Sequence, residues 1–343
     1  MFKGCYTALI TPMLRKGEVD FKGLKTLVDF QVSQGVSGIL AMGTTGESAT
    51  LNWKEHESVI EKISDYNSQR SLIIAGTGSN CTRESLEATE HAYKLGIETI
   101  LLVDPYYNGP SSMEIRREYI APIAERFPEV QVIPYVIPGR SGTQLLPRDL
   151  AILHSRYPNI RAVKEATGDL NNMRLTRRVC GEDFDILSGD DGKTFTMMCD
   201  EGIKSSGCVS VMSNVAPAAV QNMTTLLIED RKEEAKEAAQ ALNPLFQIVT
   251  VKTVEETRFG EVLVKARNPL PCKTLMNILG MPSGPLRRPL GKMTSKGLQV
   301  VLEAARKVYE ITPEILQPVE EYFHVDLSHR LYEEKFWKGL TYD

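Results

Sequence analysis

The sequence has little of what several kinds of chemistry require. Of 343 residues only five are histidine and six are cysteine. His56, His91, His154, His324 and His329 show no metal-ligand spacing, so no metal centre is expected. The cysteines (Cys5, Cys81, Cys180, Cys199, Cys208, Cys272) include no CxxC pair, which argues against a redox or zinc motif. No apolar run approaches the roughly 20 residues that span a bilayer. "MFKGCYTALITP" has polar breaks within a few residues and does not read as a secretory leader. Reduced thiols in a cytoplasmic protein are therefore expected. A basic run is also lacking, and the formal net charge of −4 argues against general binding to nucleic acid or a membrane surface. GxxxxGK[ST] and GxSxG are absent. "GTGSNC" (76–81) is no dinucleotide fingerprint, because Cys81 stands where the third glycine belongs.

What remains is an ordinary globular composition, 42% hydrophobic and 24% charged, long enough for a sizeable core. Eight short apolar runs read as strands: 6–10, 38–42, 71–76, 99–103, 130–135, 160–164, 184–189 and 207–211. Their ends lie roughly 20–35 residues apart, about one βα unit. Helical patterns fill the gaps. One is "FKGLKTLVDFQVSQG" with Gly35 as a stop. Another is "TRESLEATEHAYKLG", with Thr82 as cap and Gly96 just past the end. Eight such units predict a (β/α)8 barrel, with a doubly wound open sheet as the competitor. After Pro217 the pattern turns helical. The expected division is a catalytic barrel over 1–220, a helical domain over 221–306 and an extension over 307–343. The extension's large apolar side chains, Tyr322, Phe323, Tyr332, Phe336 and Trp337, favour docking on the barrel or a sister subunit over disorder.

In such barrels the C-terminal strand ends carry the chemistry. Here they read "GTTGES" (43–48), "GTGSN" (76–80), "DPYYNGP" (104–110), "YVIPGRSG" (135–142), "KEATGD" (164–169) and "GDDG" (189–192). Glycines, hydroxyls and phenols cluster there, while the strand starts are bland. Lys164 stands out, a cation ending an apolar strand. One reading is a snorkelling lysine with its amine in water. The other is a Schiff-base nucleophile, which must be neutral to attack a ketone. Burial would lower its pKa, and a drop of about three units costs roughly 4 kcal/mol of folding free energy at neutral pH. Tyr135 ends the neighbouring strand and reads either as a core aromatic or as a proton shuttle. "GTTGE" offers N–H groups and hydroxyls to an acid, or is an ordinary turn. Arg140 could clamp a carboxylate or simply be solvated.

In order and at fitting distances, "GTTGESATL", "AGTGSN", "DPYYNGPS", "YVIPGRSG", "VKEATGDL" and "LSGDDG" closely resemble the dihydrodipicolinate synthase family. That family belongs to the N-acetylneuraminate lyase superfamily of class I aldolases. The resemblance covers roughly residues 1–305. It implies condensation of pyruvate with L-aspartate-4-semialdehyde on the diaminopimelate route to lysine, with no metal or cofactor. Lys164 matches the imine-forming lysine and Tyr135 the proton-shuttling tyrosine. Thr44 matches the threonine linking that tyrosine to a second one, Tyr107, which in the family reaches across from a neighbouring subunit. Thr45 matches the contact to the pyruvate carboxylate, and Arg140 the arginine for the semialdehyde carboxylate. Gly189 and Val209 match positions whose backbone lines the pocket.

The resemblance further implies a homotetramer built as two tight dimers. It also implies a lysine-inhibition site at Ser48, Ala49, Trp53, His56, Asn80, Glu84 and Tyr106, which otherwise read as generic interface polars. Neuraminate and keto-deoxy-sugar lyases share the lysine and tyrosine, but Arg140 and the Thr44–Thr45 pair favour the synthase. A catalytically silent lysine-binding relative is the remaining alternative. Three features depart from the family pattern. Val136 stands straight after the matched tyrosine, where an asparagine is usual. The stretch 251–273 looks long, and nothing familiar matches the tail.

Overall fold

Eight short parallel strands close on themselves in the computed structural model, which describes residues 2–342. They are β1 (Gly4–Ala8), β2 (Gly38–Ala41), β3 (Leu72–Gly76), β4 (Thr99–Val103), β5 (Gln131–Val136), β6 (Ala162–Glu165), β7 (Asp185–Ser188) and β8 (Gly207–Ser210). Each pairs with the next, and β1 pairs with β8 to complete the (β/α)8 barrel. Strands buried on both faces need apolar residues at nearly every position, which these sequences supply. Alternation then sorts the side chains into two layers. Tyr6, Leu40, Ile74, Leu101, Ile133, Tyr135, Ala162, Leu187 and Val209 fill the interior. Cys5, Ile39, Ile100, Val132, Val136 and Val163 face the surrounding helices. The closing seam requires Gly207, because a Cβ there would overlap the Gly4 carbonyl oxygen.

Several local expectations differ from the structure. β1 lies two residues earlier than the apolar run 6–10 suggests, because Leu9 and Ile10 already belong to the loop beyond it. Helix Thr82–Lys94 has Cys81, not Thr82, at its N-cap position. The Thr82 hydroxyl instead donates to the Glu118 carbonyl oxygen, 2.9 Å away. Beyond Pro217 the chain is not helical throughout. Helices Pro217–Ile228 and Lys232–Gln247 are separated at Asp230, whose left-handed φ of 60° ends the first. An antiparallel hairpin follows, β9 (Thr250–Thr257) and β10 (Gly260–Arg267). Its residues alternate in exposure, and one face rests on helix Ser295–Ile311 through Thr253 against Thr294 and Glu255 against Lys296.

The tail packs on its own chain. Tyr322 and Phe323 set their rings against Phe30 of helix Phe21–Ser33, at centroid distances of 5.1 and 5.0 Å. Arg330 donates to the carbonyl oxygens of Ile278 (2.7 Å) and Asn277 (3.0 Å), caps the C-terminal end of helix Leu270–Leu279, and so fixes the extension there.

Candidate active site

β5 and β6 lie side by side with Tyr135 directly opposite Lys164. Tyr135 belongs to the interior layer, and the Lys164 amine lies 3.9 Å from the centre of its ring. Each residue is only 4% exposed. Burial drives the Lys164 amine down from its ordinary 10.5 to about 7. The negative charge of Asp191 works against that shift and the positive charge of Arg140 works with it. At neutral pH a large fraction of this amine is uncharged. Gly189 makes room for it, because a Cβ there would come within 3.1 Å of Lys164 Cε and 2.9 Å of Ala166 Cβ. Gly189 also donates its N–H to the Glu165 carbonyl oxygen at 2.8 Å.

Burial pushes the Tyr135 phenol up to about 12, while Arg140 and a hydrogen bond with Thr44 pull it back. The phenol therefore keeps its proton at neutral pH and can relay it through the Thr44 hydroxyl. Thr45 is buried, and its Oγ1 accepts a hydrogen bond from Asn268 Nδ2 at 3.0 Å. Val209 lines the interior from β8. Arg140 stands on the short helix Pro138–Ser141, open to solvent at the rim. Partial desolvation of its guanidinium lowers its pKa and Arg267 lowers it further, while Tyr135 opposes the shift. Its Nη2 donates to the Asn268 carbonyl oxygen at 2.9 Å.

Lys164, Tyr135, Thr44, Thr45, Arg140, Gly189 and Val209 thus share the C-terminal end of the barrel. Tyr107 does not join them within the chain. It is 90% exposed, and its backbone holds a left-handed φ of 81°, an uncommon and strained conformation for a tyrosine. Its N–H is tied to the Ser141 carbonyl oxygen at 3.2 Å. Val136, where an asparagine is usual in the family, belongs to the helix-facing layer of the core and not to the barrel interior.

Two residues of the site escaped sequence reasoning. Asp191 is buried, and its Oδ2 accepts from the Val211 and Met212 N–H groups at 2.9 and 3.1 Å, while its Oδ1 has no partner. Burial pushes its carboxyl up to about 6. Its signal was the second aspartate of "GDDG". Asn268 reaches Thr45 and Arg140 from the far side of the hairpin, and its only signal was its place at the head of "NPLPCK".

The second group of expected residues forms two patches. Trp53 and His56 share helix Trp53–Asn67 with ring centroids 4.7 Å apart. His56 is 2% exposed, and burial, helped by His91, pushes it down to about 4, so it stays neutral with Nδ1 unpartnered. Near the end of β3, the Ser79 hydroxyl donates to Glu84 Oε2 at 2.5 Å and contacts Asn80 Oδ1 at 3.5 Å. Burial, then the charge of Glu84, raises the Tyr106 phenol. Ser48 begins the single turn Ser48–Thr50, with Ala49 exposed on it.

Fold and site together define a class: an eight-stranded barrel with a desolvated amine at its mouth, suited to forming an imine with a keto acid. The model of the dihydrodipicolinate synthetase family matches residues 1–307. The 4-hydroxy-tetrahydrodipicolinate synthase of Geotalea daltonii is 40% identical over 294 residues, which cover 86% of this chain and 94% of that protein. Two solved structures superimpose at a TM-score of 0.81 and 33% identity. One is the chloride-inhibited dihydrodipicolinate synthase of Acinetobacter baumannii complexed with pyruvate, covering 90% of this chain and 99% of that one. The other is the Cyanidioschyzon merolae enzyme with lysine bound, covering 90% and 98%. The chain belongs to the dihydrodipicolinate synthetase family.

Proposed function

We propose that this chain condenses pyruvate with L-aspartate-4-semialdehyde as a 4-hydroxy-tetrahydrodipicolinate synthase, with Lys164 as the imine-forming residue. The neutral Lys164 amine adds to the pyruvate ketone, and loss of water leaves the imine. The imine draws electrons from the neighbouring methyl carbon, which loses a proton and becomes the nucleophile. That carbon attacks the aldehyde and forms the new C–C bond. The amino group of the semialdehyde then displaces the Lys164 nitrogen as the ring closes, and the enzyme is regenerated.

Tyr135 gives and takes the protons of these steps, with Thr44 as its relay. Thr45, oriented by Asn268, holds the pyruvate carboxylate. Arg140 holds the carboxylate of the semialdehyde. The observation that carries this reading is the buried Lys164 amine, lowered to about 7, over the Tyr135 ring on the adjacent strand. Borohydride reduction of the protein with pyruvate should add one pyruvate-derived group to Lys164, seen by peptide mass spectrometry. Turnover with the semialdehyde, coupled to the reductase that consumes the product, should follow. Absence of the Lys164 adduct would overturn the reading.

Tyr107, presented to solvent in a strained conformation, completes the relay of a neighbouring subunit in a homotetramer. Trp53, His56, Glu84, Asn80, Tyr106, Ser48 and Ala49 bind lysine as an inhibitor, with Glu84 for the ammonium and Trp53 over the alkyl chain. Millimolar lysine should depress the rate, and Trp53→Ala should remove most of that effect. All six cysteines are free, which suits a cytoplasmic setting. Among the described residues no helix is long and apolar enough to cross a membrane.

A further inference from the structure

The hairpin β9–β10 carries one face on helix Ser295–Ile311 and leaves the other exposed. From base to tip the exposed face reads Thr250 opposite Arg267, Lys252 opposite Lys265, Val254 opposite Leu263, and Glu256 opposite Glu261. Like charges placed directly across a strand pair repel and destabilise it. Two like-charge pairs nevertheless stand on this face, Glu256 with Glu261 at the tip and Lys252 with Lys265 toward the base, so the positive charge is gathered at the end nearer the barrel mouth. The charge of Arg267, then desolvation, then the charges of Lys252 and Arg140 lower the pKa of Lys265.

The base of this face adjoins the barrel mouth. Arg267 Nη1 donates to the Gly139 carbonyl oxygen at 3.0 Å, next to Arg140. Arg140 in turn donates to the carbonyl oxygen of Asn268, the residue after Arg267. The two guanidinium groups are thus cross-braced by backbone carbonyls. Neither makes an ion pair among the described residues, and each keeps N–H groups for a carboxylate. Four cations (Lys252, Lys265, Arg267, Arg140) therefore line a path from the outer hairpin to the mouth.

We propose that the base of this hairpin is a cationic rim that captures the carboxylate substrates at the barrel mouth, beside Arg140. The inference rests on the functional reading above and adds Lys252, Lys265 and Arg267 as groups that raise substrate capture without entering the chemistry. Exposed charges act over roughly 10 Å at 0.1 M salt, so the rim works at low ionic strength and fades as salt rises.

The test uses Lys252→Gln/Lys265→Gln, whose side chains touch none of the reacting groups. At low ionic strength the double variant should lose about tenfold in kcat/KM for the semialdehyde, with kcat unchanged. The difference should close at high salt, and Lys252→Arg/Lys265→Arg should behave as the parent. If the pair is only a solvated surface, the glutamine variant gains a little stability and its kinetics and salt dependence match the parent, which overturns the rim. A second arm measures the rate of borohydride-trapped pyruvate adduct at low and high salt. It reads the rim even if the second substrate is a different aldehyde. A parent protein that traps no pyruvate at all refutes the functional reading, and the rim with it.

Discussion

Among the described residues two lysines are buried, Lys164 and Lys273, and their surroundings could hardly differ more. Lys273, in helix Leu270–Leu279, is fully buried. Its amine bonds Glu47 Oε1 at 2.6 Å and the carbonyl oxygens of Pro285 and Thr11 at 2.9 and 3.0 Å. Every proton of that ammonium has an acceptor, so the charge is held and the group is inert. Burial lowers its pKa too, but Glu47 opposes the shift with both its charge and its hydrogen bond. Lys164 is nearly as buried, yet its amine lies over an aromatic ring, and no carboxylate among the described residues is bonded to it. Burial alone therefore does not make a nucleophile. Burial without a bonded counter-charge favours the neutral amine that the proposed chemistry needs, because the amine then escapes its desolvation cost only by losing its proton.

Replacing each lysine should expose this contrast. Lys164→Met should abolish pyruvate capture and cut turnover by about 10⁴-fold or more, while raising stability. An amine with a pKa of about 7 in the folded chain and 10.5 unfolded binds fewer protons when folded across that window. Its contribution to stability therefore rises with pH from about 7 to about 10.5. Below pH 7 its full cost, roughly 5 kcal/mol, is present. Urea unfolding at pH 7 should find Lys164→Met more stable than the parent, and the gap should shrink toward pH 10.

Lys273→Met should do the opposite. It strands Glu47 in the core and should cost about 3–5 kcal/mol in the same experiment, with the activity of the folded fraction kept. Tyr135→Phe should leave the amine buried and still able to capture pyruvate. It should slow turnover by about 10²–10³-fold, read as kcat, because the proton relay is gone. Asp191→Asn should have the smallest effect. Removing the charge that holds Lys164 up should shift the acid limb of the pH–rate profile to lower pH.

The sequence made the barrel legible because each strand must satisfy only its neighbours and a two-sided core. The pairing of Tyr135 with Lys164 follows from two adjacent strands ending together. Contacts that bridge distant segments were not legible. Asn268 meets Thr45, and Lys273 meets Glu47, across more than half the chain, and no local pattern announces such a meeting. The hairpin was hidden differently. "VKTVEETRFGEVLVKAR" alternates as strands do, with the turn at Arg258–Phe259, but it sits between two strongly helical segments and was absorbed into their pattern. The cationic rim was missed for the same reason, since it exists only once Lys252 and Lys265 are paired.

The most direct test of the central claim is the pH dependence of single-turnover pyruvate capture, trapped with borohydride and mapped by mass spectrometry. The account predicts an adduct on Lys164 and not on Lys273, forming at a rate that rises with pH to a midpoint near 7. A midpoint near the ordinary lysine value of 10.5, or an adduct on another lysine, would contradict it.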